Sequence, residues 1–209
     1  MINENDVQAR ILKAALKEFS ENGFAGSRME HIATAAQVNK AMIFYYFTSK
    51  ENLYQRLIKD VFDRMSPIII KLIVSDPSPG EFLDRIAEFY VGVYAQNPEF
   101  VRMMVLELIQ NPTHLTGRVT GFFAEKYGHQ GPPQLLQMIR KWYDTKLISE
   151  ADPFQFMMNV VSLSLLSFIG KPFLEALFKI EPHQEDALPE FYQKRINSVT
   201  HLLKRGMLT

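Results

Sequence analysis

The chain has 209 residues, of which 47% are hydrophobic and 22% charged, and its 23 Lys/Arg are balanced by 23 Asp/Glu. This composition describes one large or two small globular domains with an ordinary core, and it excludes a fibrous or disordered chain. The lack of cysteine excludes a disulfide framework and a thiolate metal site and suits a reducing cytoplasm. Zero net charge means that any affinity for nucleic acid must come from local arrangement rather than from a basic surface overall.

Taken in chain order, nearly everything reads as helix. The N-terminus, Met-Ile-Asn-Glu-Asn-Asp, has neither the basic nor the apolar region of a signal peptide. A first helix is predicted over 7–22, with Ile11, Ala15 and Phe19 inward. Ser27 and Glu30 have the spacing of a capping box, which starts a second helix with Ile32, Ala33 and Ala36 on its apolar stripe. Gln37-Val38 makes a turn, and Asn39 caps a third helix. Ile43, Phe44 and Phe47 are expected on one side of that helix, leaving Lys40, Ala41, Met42 and Tyr45 at its start and outer face. Thr48 and Glu51 form a second candidate capping box, and Lys50 falls in the first turn of the next helix, where amides and ammonium together suit a phosphate.

That fourth helix carries Leu53, Leu57, Val61 and Met65 at helical spacing, and Pro67 is expected to kink or end it. A turn over 75–80 follows. Further helices are predicted over 81–96, 99–110, 115–127 and 134–147, punctuated by Asn97-Pro98, Asn111-Pro112 and a Gly/Pro loop at 128–133. Asp152-Pro153 opens a helix to Ile169 that is apolar almost all round, so it must be covered on more than one side. Its longest apolar run, 160–169, is far shorter than a membrane span. Gly170 interrupts it, a short helix from Phe173 leads to a polar loop near Glu181-Pro182, and the last helix runs over 187–204.

Three short helices with a tight turn, an aromatic third helix and flanking lysines make a helix-turn-helix, with the third helix in a major groove and its surroundings on phosphates. Residues 1–60 hold eight Lys/Arg against seven Asp/Glu, a weak basic footprint. Affinity must then depend on two copies acting together.

The stretch from Val7 through Gly23-Phe24, Ile32-Ala33, Val38 and Tyr45-Tyr46-Phe47-x-Ser49-Lys50-Glu51-x-Leu53 resembles the DNA-binding domain of the tetracycline-repressor (TetR) family. The chain departs from the family pattern at Gln37, where the family usually has Gly, and at Asn39, Ala41 and Phe44. The resemblance implies an all-α regulator. A three-helix DNA-binding domain (1–49) would precede a helical effector-binding and dimerisation domain (50–209). It implies a homodimer, most simply a repressor, that binds palindromic operator DNA through Ser27, Arg28, Asn39, Lys40, Ala41, Met42, Tyr45, Tyr46 and Lys50. Lys40, Ala41 and Met42 would meet base edges.

The dimer would form through the penultimate and last long helices, at Ser162, Leu166, Ile169, Tyr192, Ile196, Val199 and Leu203. Phe89, Tyr90, Tyr94, Met103, Met104, Glu107 and Trp142 would line an adaptable, mostly apolar effector cavity. Taken one by one, the same aromatics and methionines read as plain core.

No metal or cofactor is expected. His31, His114, His129, His183 and His201 lack ligand spacing, and there is no nucleotide-binding or nucleophile-elbow motif. The competing readings are a DNA-binding protein with a closed core and no effector, and a helical enzyme or carrier, for which no catalytic constellation is present.

Overall fold

The computed structural model describes residues 4–128, 132–181 and 188–209, without the side chains of Asn5 and His114. Residues 129–131 and 182–187, which hold His129, His183 and parts of the loops expected at 128–133 and near Glu181-Pro182, lie outside the described residues. Eleven helices account for most of the rest: α1 Glu4–Gly26, α2 Met29–Ala36, α3 Lys40–Phe47, α4 Lys50–Val74, α5 Pro79–Gln96, α6 Pro98–Gln110, α7 Pro112–Tyr127, α8 Pro132–Asp144, α9 Pro153–Ile169, α10 Lys171–Phe178 and α11 Leu188–Met207. The only extended pairing among these residues is one isolated bridge, Ile148 to Leu208. No single described helix is long and apolar enough to cross a membrane, although α9 and α10 together, bent by 58°, have that length and composition.

The helices gather into two compact units, 1–67 with 97–128 and 68–96 with 129–209. The packing therefore does not divide at residue 49/50. α6, α7 and most of α4 complete the core begun by α1–α3.

In the first unit, Ile11, Phe19, Ile32, Ile43, Leu53, Tyr54 and Met103 are fully or almost fully buried together. Phe19 and Phe24 meet the Tyr54 ring edge-on at 5.1 Å each. Arg118 of α7 pairs with Glu51 of α4, and the Ser66 and Tyr127 hydroxyls share a hydrogen bond of 2.7 Å. Glu107 is fully buried beside Tyr54, whose ionisation is pushed up by burial and by that carboxylate.

The second unit is centred on Phe82, Leu83, Ile86, Ile139, Phe156, Val160 and Val199. Trp142 packs against both Phe82 and Phe156, at 5.4 and 6.1 Å between centroids. α11 lies along α5, where Lys204 donates to Asp84 at 2.6 Å.

At three helix starts the capping differs from expectation. The Ser27–Glu30 box does not form, and Arg28 is the N-cap without a side-chain bond. The Ser27 hydroxyl instead donates to the carbonyls of Gly23 (2.5 Å) and Glu18 (3.2 Å), while the Glu18 carboxylate accepts the Arg28 N–H at 3.0 Å. The acceptor that a box would supply thus comes from α1. At α4, Thr48 is the left-handed end of α3 (φ 64°), and Ser49 does the capping by accepting the Asn52 N–H at 3.0 Å. A full capping box does form at α5, where the Glu81 carboxylate accepts from the Ser78 N–H and Oγ, and the Ser78 Oγ accepts the Glu81 N–H. That helix therefore starts at Pro79, before the expected Glu81. Pro67 neither ends α4 nor starts a new helix, because α4 continues through it to Val74.

Candidate nucleic-acid interface

The helix-turn-helix is built from the inside out. Ile32, Ala33 and Ala36 of α2 and Ile43 and Phe47 of α3 are buried, and the two alanines present no bulk where the helices meet. The turn between them is a Schellman closure: the Val38 N–H reaches the Ala33 carbonyl (3.0 Å) and the Gln37 N–H the Thr34 carbonyl (3.1 Å). Gln37 must adopt a left-handed conformation (φ 55°, ψ 47°) to allow it. Glycine takes that conformation without strain, so the position read as a departure keeps the turn geometry at a local conformational cost. Asn39 then caps α3 by accepting the Met42 N–H at 2.8 Å.

This scaffold leaves one face of α3 open. Lys40 and Ala41 are exposed at its start, and one turn later Phe44 and Tyr45 are 40% and 78% exposed. Met42 and Tyr46 are only half-buried, with Tyr46 meeting the Tyr45 ring edge-on at 5.1 Å. Phe44 was expected inward and is found outward, because Lys40 and Phe44 are one helical turn apart and Lys40 is on the surface. Lys40 lies 5.8 Å from the Phe44 ring. Phe44 is thus an added member of the open face, and the four-residue spacing was the signal for it.

Arg28 and Asn39 are also exposed and flank this face in sequence. Ser27 is buried, its hydroxyl committed to α1, so it has no side-chain proton to offer a phosphate.

The two lysines are both occupied within the chain. Lys40 forms an ion pair with Glu30 of α2, and this hydrogen bond holds the Glu30 carboxyl below its usual range. Lys50 folds back to donate to the Ser27 carbonyl at 2.6 Å and sits 4.9 Å from the Phe24 ring, with burial lowering its pKa. Lys50 therefore closes the α1–α2 corner instead of extending toward a phosphate. That corner turns on Gly23 (φ 67°, ψ 176°), a conformation open essentially to glycine alone, and a Cβ there would lie 2.5 Å from the Gln110 side chain of α6.

The residues expected around an effector divide between the two cores. Met103 and Glu107 are buried in the first unit, with Met104 packed against it. Phe89, Tyr90, Tyr94 and Trp142 belong to the second unit. Trp142 is in its packed centre, while Tyr90 and Tyr94 stack at 5.9 Å and continue through Phe168 to Tyr192. Burial pushes the Tyr90 phenol up to about 12 and raises Tyr94 as well.

The expected dimer residues also separate. Ser162, Leu166 and Ile169 are exposed on α9, and Tyr192 and Ile196 are half-buried. Val199 and Leu203, at 0% and 2% exposure, are core residues of the monomer, because the inward stripe of α11 faces α5. Among the described residues no cluster of three potential metal ligands occurs.

Comparison with known proteins agrees with this architecture. Residues 11–57 match the model for bacterial regulatory proteins of the tetR family, and residues 79–199 match a tetracyclin repressor-like C-terminal domain. The chain is 36% identical over 104 residues to the HTH-type transcriptional repressor NicS of Pseudomonas putida, a stretch covering 50% of this chain and 49% of NicS. It is 25% identical over 186 residues to the biofilm operon regulator IcaR of Staphylococcus aureus, covering 88% of this chain and 94% of that one. Among solved structures, the hemolysin II transcriptional regulator HlyIIR superposes with a TM-score of 0.67 at 23% identity, over 95% of this chain and 99% of that one. The fatty acid degradation regulator FadR of Bacillus halodurans does so with 0.63 at 17%, over 93% and 96%. With its capped, buried-backed α3 and both halves matched, the chain belongs to the TetR family of bacterial regulatory proteins and is a DNA-binding transcriptional regulator rather than an enzyme.

Proposed function

We propose that the protein is a cytoplasmic repressor that binds a short palindromic operator as a homodimer and releases it when a small, mostly apolar molecule binds its C-terminal part. The observation that carries this is the open face of α3, where Lys40, Ala41, Phe44 and Tyr45 project from a helix whose back is locked into a core. In this reading residues 1–49 read DNA, and 50–209 dimerise and respond to the effector.

Lys40 and Ala41 meet base edges with Met42 at the margin. Arg28, Asn39, Tyr45 and Tyr46 hold phosphate and sugar, and Ser27 and Lys50 hold the corner that aims α3. The dimer face is the α9 stripe Phe154, Met158, Ser162, Leu166 and Ile169, with Tyr192 and Ile196 of α11 at its edge. The Tyr90–Tyr94 stack is the part of the expected effector set best suited to an adaptable aromatic wall, and α4, continuous from Lys50 to Val74, links the two cores covalently. A hundredfold release of operator requires about 2.7 kcal/mol of coupling, and operator must weaken effector binding by the same factor.

The test is to sequence the genomic fragments retained by the purified protein and measure binding to the motif they share. Affinity should fall steeply with salt. Tyr45→Ala should weaken all sequences alike, and Lys40→Ala should also relax preference at one base position, by about 1–3 kcal/mol if its contact is bidentate. No enrichment of any fragment would overturn the repressor reading and reopen that of a helical carrier.

A further inference from the structure

His31 stands in the first turn of α2, three residues after Arg28, with its side chain 58% exposed. Its Nδ1 lies 3.2 Å from a carboxylate oxygen of Glu18 on α1, and that same oxygen accepts the Arg28 N–H at 3.0 Å. The Glu18 side chain is only 11% exposed, so its carboxylate is a fixed post at the α1–α2 corner. A carboxylate only accepts, which makes Nδ1 the donor in this contact. The ring is thus held against the protein by one nitrogen. The other, Nε2, has no hydrogen-bond partner among the described residues.

In the neutral ring Nδ1 carries the only proton, and Nε2 presents a lone pair that a phosphate oxygen cannot use. In the imidazolium both nitrogens donate. His31 can therefore hold a phosphate only when it is charged, and histidine is the side chain that changes charge between about pH 5 and 8. Protonation also places a cation between the Glu18 carboxylate and an arriving phosphate. The ring lies at the rim of the surface already assigned to DNA. Arg28 is one turn before it, and its neighbour Glu30 pairs with Lys40 at the start of the open face. The charged groups around it are Glu18 on α1, Arg28 and Glu30 on α2, Lys40 of α3 through Glu30, and Lys50 of α4, whose ammonium feels the Glu18 charge. We propose that His31, oriented by Glu18, is a DNA phosphate contact made only by the protonated ring, so that DNA binding takes up protons and tightens as pH falls. The contact is to the backbone, so it holds for any duplex and does not depend on which operator is read.

The test is fluorescence anisotropy of the full chain on a labelled duplex of random sequence, over a range of salt, at about pH 6 and about pH 8. The parent should bind about tenfold more tightly at the lower pH, with a log–log salt slope steeper there by about 0.9 for each protomer bound. His31→Gln should show the weaker, shallower binding at both pH values, and His31→Lys the tighter, steeper binding at both. Both replace an exposed side chain, so their melting curves should match the parent's. Glu18→Gln frees the tautomer, and the neutral ring can then donate from Nε2. Binding at the higher pH should tighten and the pH dependence shrink, which the loss of a merely structural contact would not produce. Should Glu18→Gln not fold, the two His31 variants decide alone. Equal parent affinity at both pH values, a His31→Gln variant that keeps the parent's pH dependence, or a salt slope that does not change with pH would overturn the proposal. Because the probe is random duplex, failure to enrich a genomic fragment would sink the operator reading and leave this measurement untouched, and the reverse also holds.

Discussion

The two units treat exposed apolar surface in opposite ways. Around the helix-turn-helix most large side chains are buried, Leu108 and Ile109 at the end of α6 being exceptions, and the aromatics left on α3 are Phe44 beside a lysine and tyrosines that carry hydroxyls. In the second unit, α9 and α10 leave Phe154, Met158, Leu166, Ile169, Phe173, Leu177 and Phe178 between 47% and 67% exposed. The first is a finished core presenting a polar-tipped face to a polar, charged partner. The second is unfinished in the monomer, and an apolar face of that extent marks an association surface.

The largest effect should come from breaking the unfinished face. Met158→Glu leaves the monomer core intact, so the helical signal and melting behaviour of the monomer should persist while sedimentation shifts from dimer to monomer and operator binding is lost. Val199→Glu, one of the residues that the sequence alone assigns to the interface, buries an unpaired charge in the second core and should unfold the chain. If both variants merely dissociate, the division between core and interface is wrong.

In the finished core, Gly23→Ala should lower stability by about 1–3 kcal/mol in denaturant titration, through its forbidden backbone region, with the clash at Gln110 adding to it. A variant as stable as the parent would mean that the α1–α2 corner is not locked as described.

The second core should also reveal itself in alkali. A phenol whose folded pKa lies above its unfolded value of about 10 contributes stability that is complete below pH 10 and is lost as pH rises through the folded pKa. For Tyr90, raised to about 12 by burial, that window is pH 10–12. Each such phenol steepens the loss by about 1.4 kcal/mol per pH unit, and Tyr90→Phe should remove one proton from the slope.

The smallest effect belongs to the open face. Glu30→Gln releases Lys40 from its ion pair, so operator affinity should rise severalfold, and preference at the base that Lys40 reads should sharpen. An affinity that rises equally for every sequence would mean that Lys40 does not reach a base edge even when freed.

Helix count, the turn and the Asn39 cap were legible because they depend on neighbours a few residues apart. The Ser-x-x-Glu pattern shows where that ends. At Ser78 it made the box it spells. At Ser27 it did not, since Glu18, nine residues earlier, already meets the Arg28 N–H. At Thr48 the cap moved to Ser49 because Thr48 was needed to end α3. Periodicity placed Val199 and Leu203 on an apolar stripe but could not say whether α5 or a second copy covers it. It likewise grouped Phe89 to Trp142 as one candidate site, whereas their side chains serve two cores.

Pro67 has a consequence for α4 that hydrogen exchange would read directly. With no N–H at 67, the Asp63 carbonyl lacks its helical donor, so one rung of the ladder is missing where the chain passes from one core to the other. Leu53 and Leu57 are anchored in the first core, and Leu72 and Ile73 in the second. A single unbroken helix should therefore keep two clocks. Amides before residue 67 should exchange in step with α1, and those after it in step with α5, so deuterium uptake along α4 reports the opening free energy of each core in one peptide map.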